Sequence, residues 1–203
     1  MLMNNLDVFF EKNPLYAFYR GKILEGVITK FYKEYFHKFN NKHVLEIGCG
    51  SGFDTKLISI YFKPSKIIAT DLDSQLIEVA NKRNKTPSVF YEVADSTKLL
   101  YKINSFDAIF DFGVIHHIPN WKDCLKELYC VLKPGGFVFL YDVPIESFSG
   151  VKGWFTRTFT LHPYEEIYRK KEFVNYIRKI GFKIISQTDY KTNMNYFVII
   201  AEK

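Results

Sequence analysis

A chain of 203 residues, 47% hydrophobic and 25% charged, suits one soluble domain with a sizeable core. No apolar run approaches the ~20 residues needed to cross a bilayer, and the start "MLMNNLDVFFEKN" lacks the basic, apolar and small-residue regions of a secretory signal. Cys49, Cys124 and Cys130 form no CxxC pair, a pattern that argues against a disulfide framework or a zinc site and fits the cytoplasm. The net charge of +6 comes from two segments, 1–43 and 144–180, each with seven Lys or Arg against four Asp or Glu; elsewhere the charges cancel. The same segments hold 18 of the 36 aromatic residues, so they are expected to face an anionic or amphiphilic partner.

In chain order, Leu15, Tyr19, Ile23, Val27, Phe31, Tyr35 and Phe39 recur every four residues, and Leu24, Ile28, Tyr32 and Phe36 widen the stripe. That pattern predicts a helix over 14–39 with one broad apolar face, within an N-terminal helical cap over 1–42. Strands over 43–48, 66–71, 88–93, 107–111 and 136–143 then alternate with helices over 53–62, 73–83 and 121–132. Alternation of this kind, with buried runs such as "KIIAT" and "FDAIF", predicts a parallel sheet covered on both faces. A last helix, 170–180, closes at Gly181, and "FKIISQTDY" and "NYFVIIAEK" follow with only a short connection between them. So short a connection makes the two strands antiparallel. The predicted fold is α/β, a Rossmann-like, doubly wound, seven-stranded and mostly parallel sheet with one antiparallel strand near its edge. No linker or composition shift divides it, and 1–203 reads as one domain.

The stretch "VLEIGCGSGFDTKLI" turns from a strand through Gly48, Gly50 and Gly52 into a helix, a device that brings backbone close to a ligand. Its G-x-G-x-G spacing is one residue short of a dinucleotide loop. Glu46, two residues before the loop, is unwelcome beside a pyrophosphate and useful beside the ammonium of an amino acid. Asp71, ending the second strand, suits a pair of ribose hydroxyls; Asp73 fits the N-cap of the next helix better. Asp95, after the third strand, suits an exocyclic amine.

"VLEIGCGSG", "ATDLD", "VADS", "FDAIFDFGVIHHI" and "VLKPGGFVFL", in this order and at these spacings, resemble the class I S-adenosylmethionine-dependent methyltransferases, and within them the small-molecule branch. The likeness covers roughly 43–143 by motif. It implies S-adenosyl-L-methionine as cofactor and methyl transfer to a small-molecule acceptor. By the same likeness Gly48, Gly50 and Gly52 approach the methionine moiety and ribose, and Asp71 holds the ribose hydroxyls. Leu72 packs on the adenine face, Asp95 takes the adenine amine, and the Ser96 amide faces a ring nitrogen. Asp111 or Phe112 offers a carbonyl to the methionine ammonium.

A general base is needed only where the acceptor must lose a proton. His116 and His117, after strand four, are the first candidates, and Tyr141 and Asp142, ending strand five, the second. In an extended loop the two adjacent rings would point opposite ways. The segment 144–173 occupies the place of a substrate-side insertion and offers Trp154, Phe155, Arg157, Phe159, His162 and Tyr164 as an aromatic roof with a basic rim. "DFGVIHH" is not the Asn/Asp-Pro-Pro-aromatic tetrad of amino-methylating nucleic-acid enzymes, which argues against a nucleic-acid partner. The alternatives are methyl transfer to RNA or protein and a non-catalytic cofactor-binding role. The basic segments also allow a peripheral contact with an anionic membrane surface.

Overall fold

Short runs of β-branched and aromatic residues, too apolar to face water, alternate with helices carrying one apolar stripe, and the sheet buries them from both sides. The computed structural model describes residues 13–149, 166–191 and 194–203. Its strands are β1 (His43–Ile47), β2 (Lys66–Asp71), β3 (Val89–Val93), β4 (Phe106–Phe112), β5 (Leu132–Asp142), β6 (Lys183–Lys191) and β7 (Asn195–Glu202). They form one sheet in the order β3-β2-β1-β4-β5-β7-β6. The first five strands pair in parallel, and β7 runs antiparallel to both β5 and β6. The reversed strand therefore lies one position in from the edge. β5 begins earlier than its apolar run, because Leu132 already pairs with Phe106 before the Pro134-Gly135-Gly136 stretch shifts the register.

The helices are α1 (Pro14–Val27), α2 (Phe53–Phe62), α3 (Ser74–Arg83), α4 (Trp121–Val131) and α5 (Lys170–Lys179). Helices α1 to α3 cover one face of the sheet, and α4 and α5 the other. The first face is built from aromatic rings: Phe110 stacks on Phe139 at 4.9 Å, and Phe62 and Tyr32 meet these two edge-on at 4.8 and 4.9 Å. Offset and edge-to-face pairs of this kind contribute about 0.5–1.5 kcal/mol each beyond their buried area. Asp73 caps α3, its side chain accepting the Gln75 amide at 2.8 Å.

The first helix departs from the single α-helix expected over 14–39. After Val27 the backbone makes a π turn over Ile28–Tyr32 and then a 3-10 stretch over Lys33–Phe39. A four-residue repeat on an α-helix drifts by about 40° each time, because 3.6 residues complete a turn. The π turn inserts one extra residue and returns the stripe to the sheet, so that Val27, Ile28, Tyr32 and Phe39 are all buried. The start of the helix is exposed among the described residues: Leu15, Phe18 and Tyr19 stand at 80%, 58% and 62%.

The Tyr32 hydroxyl is buried without a hydrogen-bond partner among the described residues. An unsatisfied buried polar group costs about 1–3 kcal/mol. Tyr32→Phe should therefore match or exceed the wild type in stability. A urea midpoint lowered by the equivalent of more than about 1 kcal/mol would instead reveal a hydroxyl bonded through buried water.

Candidate functional site

The expected cofactor-binding residues, together with His116 and His117, fall at the carboxyl ends of the five parallel strands, where an open α/β sheet places its crevice. Strand order reverses between β1 and β4, and the crevice opens there. From the end of β3 to the end of β5 is four strand spacings, roughly 19 Å.

The loop after β1 is held by its own glycines and by Asp71. Gly50 donates its amide to Asp71 Oδ2 at 2.8 Å, and Asp73 donates to Oδ1 at 2.9 Å. The carboxylate thus fixes the glycine loop to the end of β2. Gly48 and Gly52 have positive φ, 62° and 79°. A Cβ on Gly48 would lie 2.0 Å from Val114 Cγ2, and one on Gly52 would lie 2.7 Å from the Tyr91 hydroxyl. Both glycines are therefore demanded by packing within the protein as well as by any ligand, a role the motif alone does not reveal.

Glu46 is buried at the end of β1, where it accepts the Thr55 hydroxyl at 2.5 Å. Burial pushes its carboxyl up to about 8, with the Asp54 charge adding to the effect. Arg20, on α1, reaches over to Asp54 Oδ2 at 2.9 Å and to the Phe112 carbonyl at 2.8 Å. Sequence reasoning passed over both Arg20 and Asp54. Their signals were a lone basic residue inside an apolar stripe and an acid in the first turn after the glycine loop. The Phe112 carbonyl, expected to meet an ammonium, already accepts this guanidinium.

On the far side of the crevice Leu72 is 39% exposed and Ser96 is buried. Asp95 Oδ1 accepts both the amide and the hydroxyl of Thr97, at 2.8 and 2.7 Å, and the amide bond above all holds its carboxyl below the usual range. Asp111 is fully buried at the end of β4, with Oδ1 accepting the Val114 amide at 3.0 Å.

His116 and His117 do not lie in an extended loop. They belong to a 3-10 turn, Ile115–His117, and their rings lie 4.1 Å apart, tilted by 38°, instead of pointing apart. Their surroundings still differ. His116 is buried and its Nδ1 is paired with Asp142, whereas His117 is partly exposed. Tyr141 stacks on Tyr196 at 4.5 Å, and burial first, then Tyr196, pushes its hydroxyl far above the normal range, which removes it as a base near neutral pH. In the substrate-side insertion, Trp154, Phe155, Arg157, Phe159, His162 and Tyr164 lie outside the described residues.

Asp54 and Asp71 both act on Glu46, and all three act on Cys49 in the loop. Such a concentration of carboxyl groups repels a pyrophosphate and suits a ligand bearing an ammonium and a sulfonium, so the donor set fits S-adenosylmethionine.

Glu46 makes stability depend on pH in a defined direction. Between its unfolded value near 4.3 and its folded value of about 8, the folded chain holds a proton that the unfolded chain has lost. Its contribution to stability therefore falls as pH rises through this window. Glu46→Gln should flatten the dependence of the urea midpoint on pH between 5 and 8, relative to wild type. An unaltered slope would place the effect elsewhere.

The family described as "Methyltransferase domain" matches residues 45–140. A fatty-acid O-methyltransferase of Mycolicibacterium smegmatis is 32% identical over 100 residues, which are 49% of this chain and 36% of that protein. A phthiotriol/phenolphthiotriol dimycocerosates methyltransferase of Mycobacterium tuberculosis is 29% identical over 96 residues, 47% of this chain and 36% of the other. The chain thus matches well under half the length of these curated relatives. Among solved structures, a protein of Pyrococcus horikoshii shares the fold with a TM-score of 0.75 at 21% identity, over 95% of this chain and 93% of that one. Residues 45–140, a little under half of the chain, are thus similar to a methyltransferase domain, and they span β1 to β5, whose carboxyl ends carry the residues described above.

Proposed function

We propose that the chain transfers the methyl group of S-adenosylmethionine to a small acceptor of lipid character. The observation that carries this reading is the Asp71 carboxylate, held at the end of β2 by the Gly50 and Asp73 amides within a crevice lined by further carboxyl groups. In it, Asp71 would accept the ribose hydroxyls and Leu72 would cover the adenine, with Asp95 and the Ser96 amide at the adenine edge. Gly48, Gly50 and Gly52 let the backbone come close, and Glu46, Asp111 and the Phe112 carbonyl flank the ammonium end. The bound cofactor supplies an already activated leaving group. The protein's own residues align the acceptor and exclude water.

The lipid character rests on two supports. The relatives are named for a fatty acid and for phthiotriol dimycocerosates. The exposed Leu15, Phe18 and Tyr19 lie within two turns of Arg20, whose guanidinium stands at the end of β4, so an apolar surface borders the crevice. Among the described residues no helix is long and apolar enough to cross a membrane. A lipid acceptor would be met through this surface, with the basic surplus favouring a peripheral contact with anionic lipid.

Calorimetry should show binding of S-adenosylmethionine and S-adenosylhomocysteine and none of NAD. Asp71→Ala should weaken binding by roughly 1.5–3 kcal/mol, the scale of hydrogen bonds to a charged acceptor. Labelled methyl groups should pass into a lipid extract, with the product identified by mass. Unchanged affinity in the variant would sink the ribose assignment, and label confined to RNA or protein would sink the acceptor class.

A further inference from the structure

A cavity of about 710 Å³ lies where the turn after β5 meets α5 and the hairpin of β6 and β7. In the sheet order β6 is three strands from β4, roughly 14 Å. The cavity includes none of the cofactor residues named above, and it is distinct from the crevice between β1 and β4.

Two periodicities build its walls. Lys171, Val174, Asn175 and Arg178 follow helical spacing and lie on one stripe of α5. Gln187, Asp189 and Lys191 alternate along β6 and share one face of the sheet. Val174 is buried, whereas Lys171, Arg178 and Lys191 are exposed.

The charges of the lining do not balance. Lys170, Lys171, Arg178 and Lys191 stand against Glu146 and Asp189, four positive groups to two negative, a surplus of two. Lys170 Nζ pairs with Asp189, and Glu146 Oε2 accepts the Lys170 amide at 3.3 Å. Among the described residues Lys171, Arg178 and Lys191 form no ion pair. Cations gathered in one recess repel each other and focus a field that draws in an anion. Lys170, Lys171 and Arg178 also belong to the basic segment 144–180, whose charge the cofactor crevice does not use.

The size of the surplus selects the anion. A carboxylate or a sulfate ester brings one negative charge. A phosphate monoester brings nearly two at neutral pH, with three acceptor oxygens. The planar fork of Arg178 can engage two of those oxygens, and the amide groups of Asn175 and Gln187 are neutral donors in the same cavity. The volume falls in the range of sites for whole organic ligands. Room therefore remains beyond the anion, along Pro144, Val174 and Tyr196.

We propose that this cavity is a second binding site, for a phosphate monoester that carries an apolar chain, with Arg178, Lys171 and Lys191 holding the phosphate. The site needs neither the cofactor nor methyl transfer in order to bind.

The test is calorimetry on the full chain with octyl phosphate, octyl sulfate and inorganic phosphate, at a pH above the second phosphate pKa of about 6. Octyl phosphate should bind one to one, about tenfold or more tighter than either of the others, because the sulfate lacks a charge and inorganic phosphate lacks the chain. Arg178→Gln should weaken it by about 10–100-fold, and Arg178→Lys by less, since the charge stays and the fork is lost. Lys171→Gln and Lys191→Gln should each weaken binding by a smaller factor, with circular dichroism unchanged in all these variants. Lys183→Gln, an equal loss of charge on β6 outside the cavity, should leave affinity unaltered. Adding S-adenosylhomocysteine should not displace octyl phosphate. No binding, displacement by S-adenosylhomocysteine, or equal losses in Arg178→Gln and Lys183→Gln overturns the site. Equal affinity for inorganic phosphate overturns the chain-bearing ligand in favour of the free ion, and equal affinity for octyl sulfate overturns the choice of phosphate.

Discussion

Right-handed crossovers carry the chain from β1 outward to β3 and then back across to β4 on the other side of β1, so the loops after β1 and β4 diverge. That divergence opens the crevice, and every other feature of the site is a consequence of where strands end along it. The glycine loop leaves β1 on one lip. The turn bearing His116 and His117 leaves β4 on the other, and Val114 from that turn packs into the space Gly48 leaves. The two lips are thereby fitted to each other, and a side chain at Gly48 would push them apart.

Parallel strands also gather their carboxyl ends on one side, and this chain puts an acid at nearly every one of them. Glu46, Asp71, Asp111 and Asp142 end β1, β2, β4 and β5, and Asp54 stands in the first turn of α2. Water would solvate these groups, but Glu46, Asp54, Asp111 and Asp142 are buried. The structure meets the desolvation cost in three ways. Backbone amides fix Asp71 and Asp142, Arg20 pairs with Asp54, and Glu46 and Asp111 are driven toward their neutral forms. Under the proposed function, a cationic cofactor enters an environment already short of positive charge, which is the electrostatic arrangement that favours it.

The N-terminal helix contributes differently to the two ends of the site. Its later part is a structural wall, locked to the sheet through Tyr32, Phe39 and the Phe62, Phe110 and Phe139 rings. Its first turns carry exposed Leu15, Phe18 and Tyr19 beside the mouth. Arg20 joins the two parts, tying the helix to α2 and to the end of β4. A basic side chain on the apolar face of a helix is costly unless a partner waits for it, and Asp54 and the Phe112 carbonyl are those partners.

Period and turn chemistry determined most of the architecture directly. Helix α2 and strand β2 begin and end where apolar spacing and flanking turn residues put them, Asp73 caps α3 as its side chain dictates, and a short connection forces β6 and β7 to run antiparallel. The positions of Glu46, Asp71, Asp111 and Asp142 were legible for the same reason, because each lies at or next to the end of a strand and local sequence sets where strands end. Tertiary structure decided what depends on distant chain segments. It chose between α, π and 3-10 geometry in the first helix, because the sheet face selects which apolar residues must reach it. It brought Arg20 to Asp54 and Phe112, 34 and 92 residues away. It also separated two adjacent histidines that local sequence treats alike, since only the packing of β5 beside β4 puts a buried carboxylate against one ring and leaves the other near solvent.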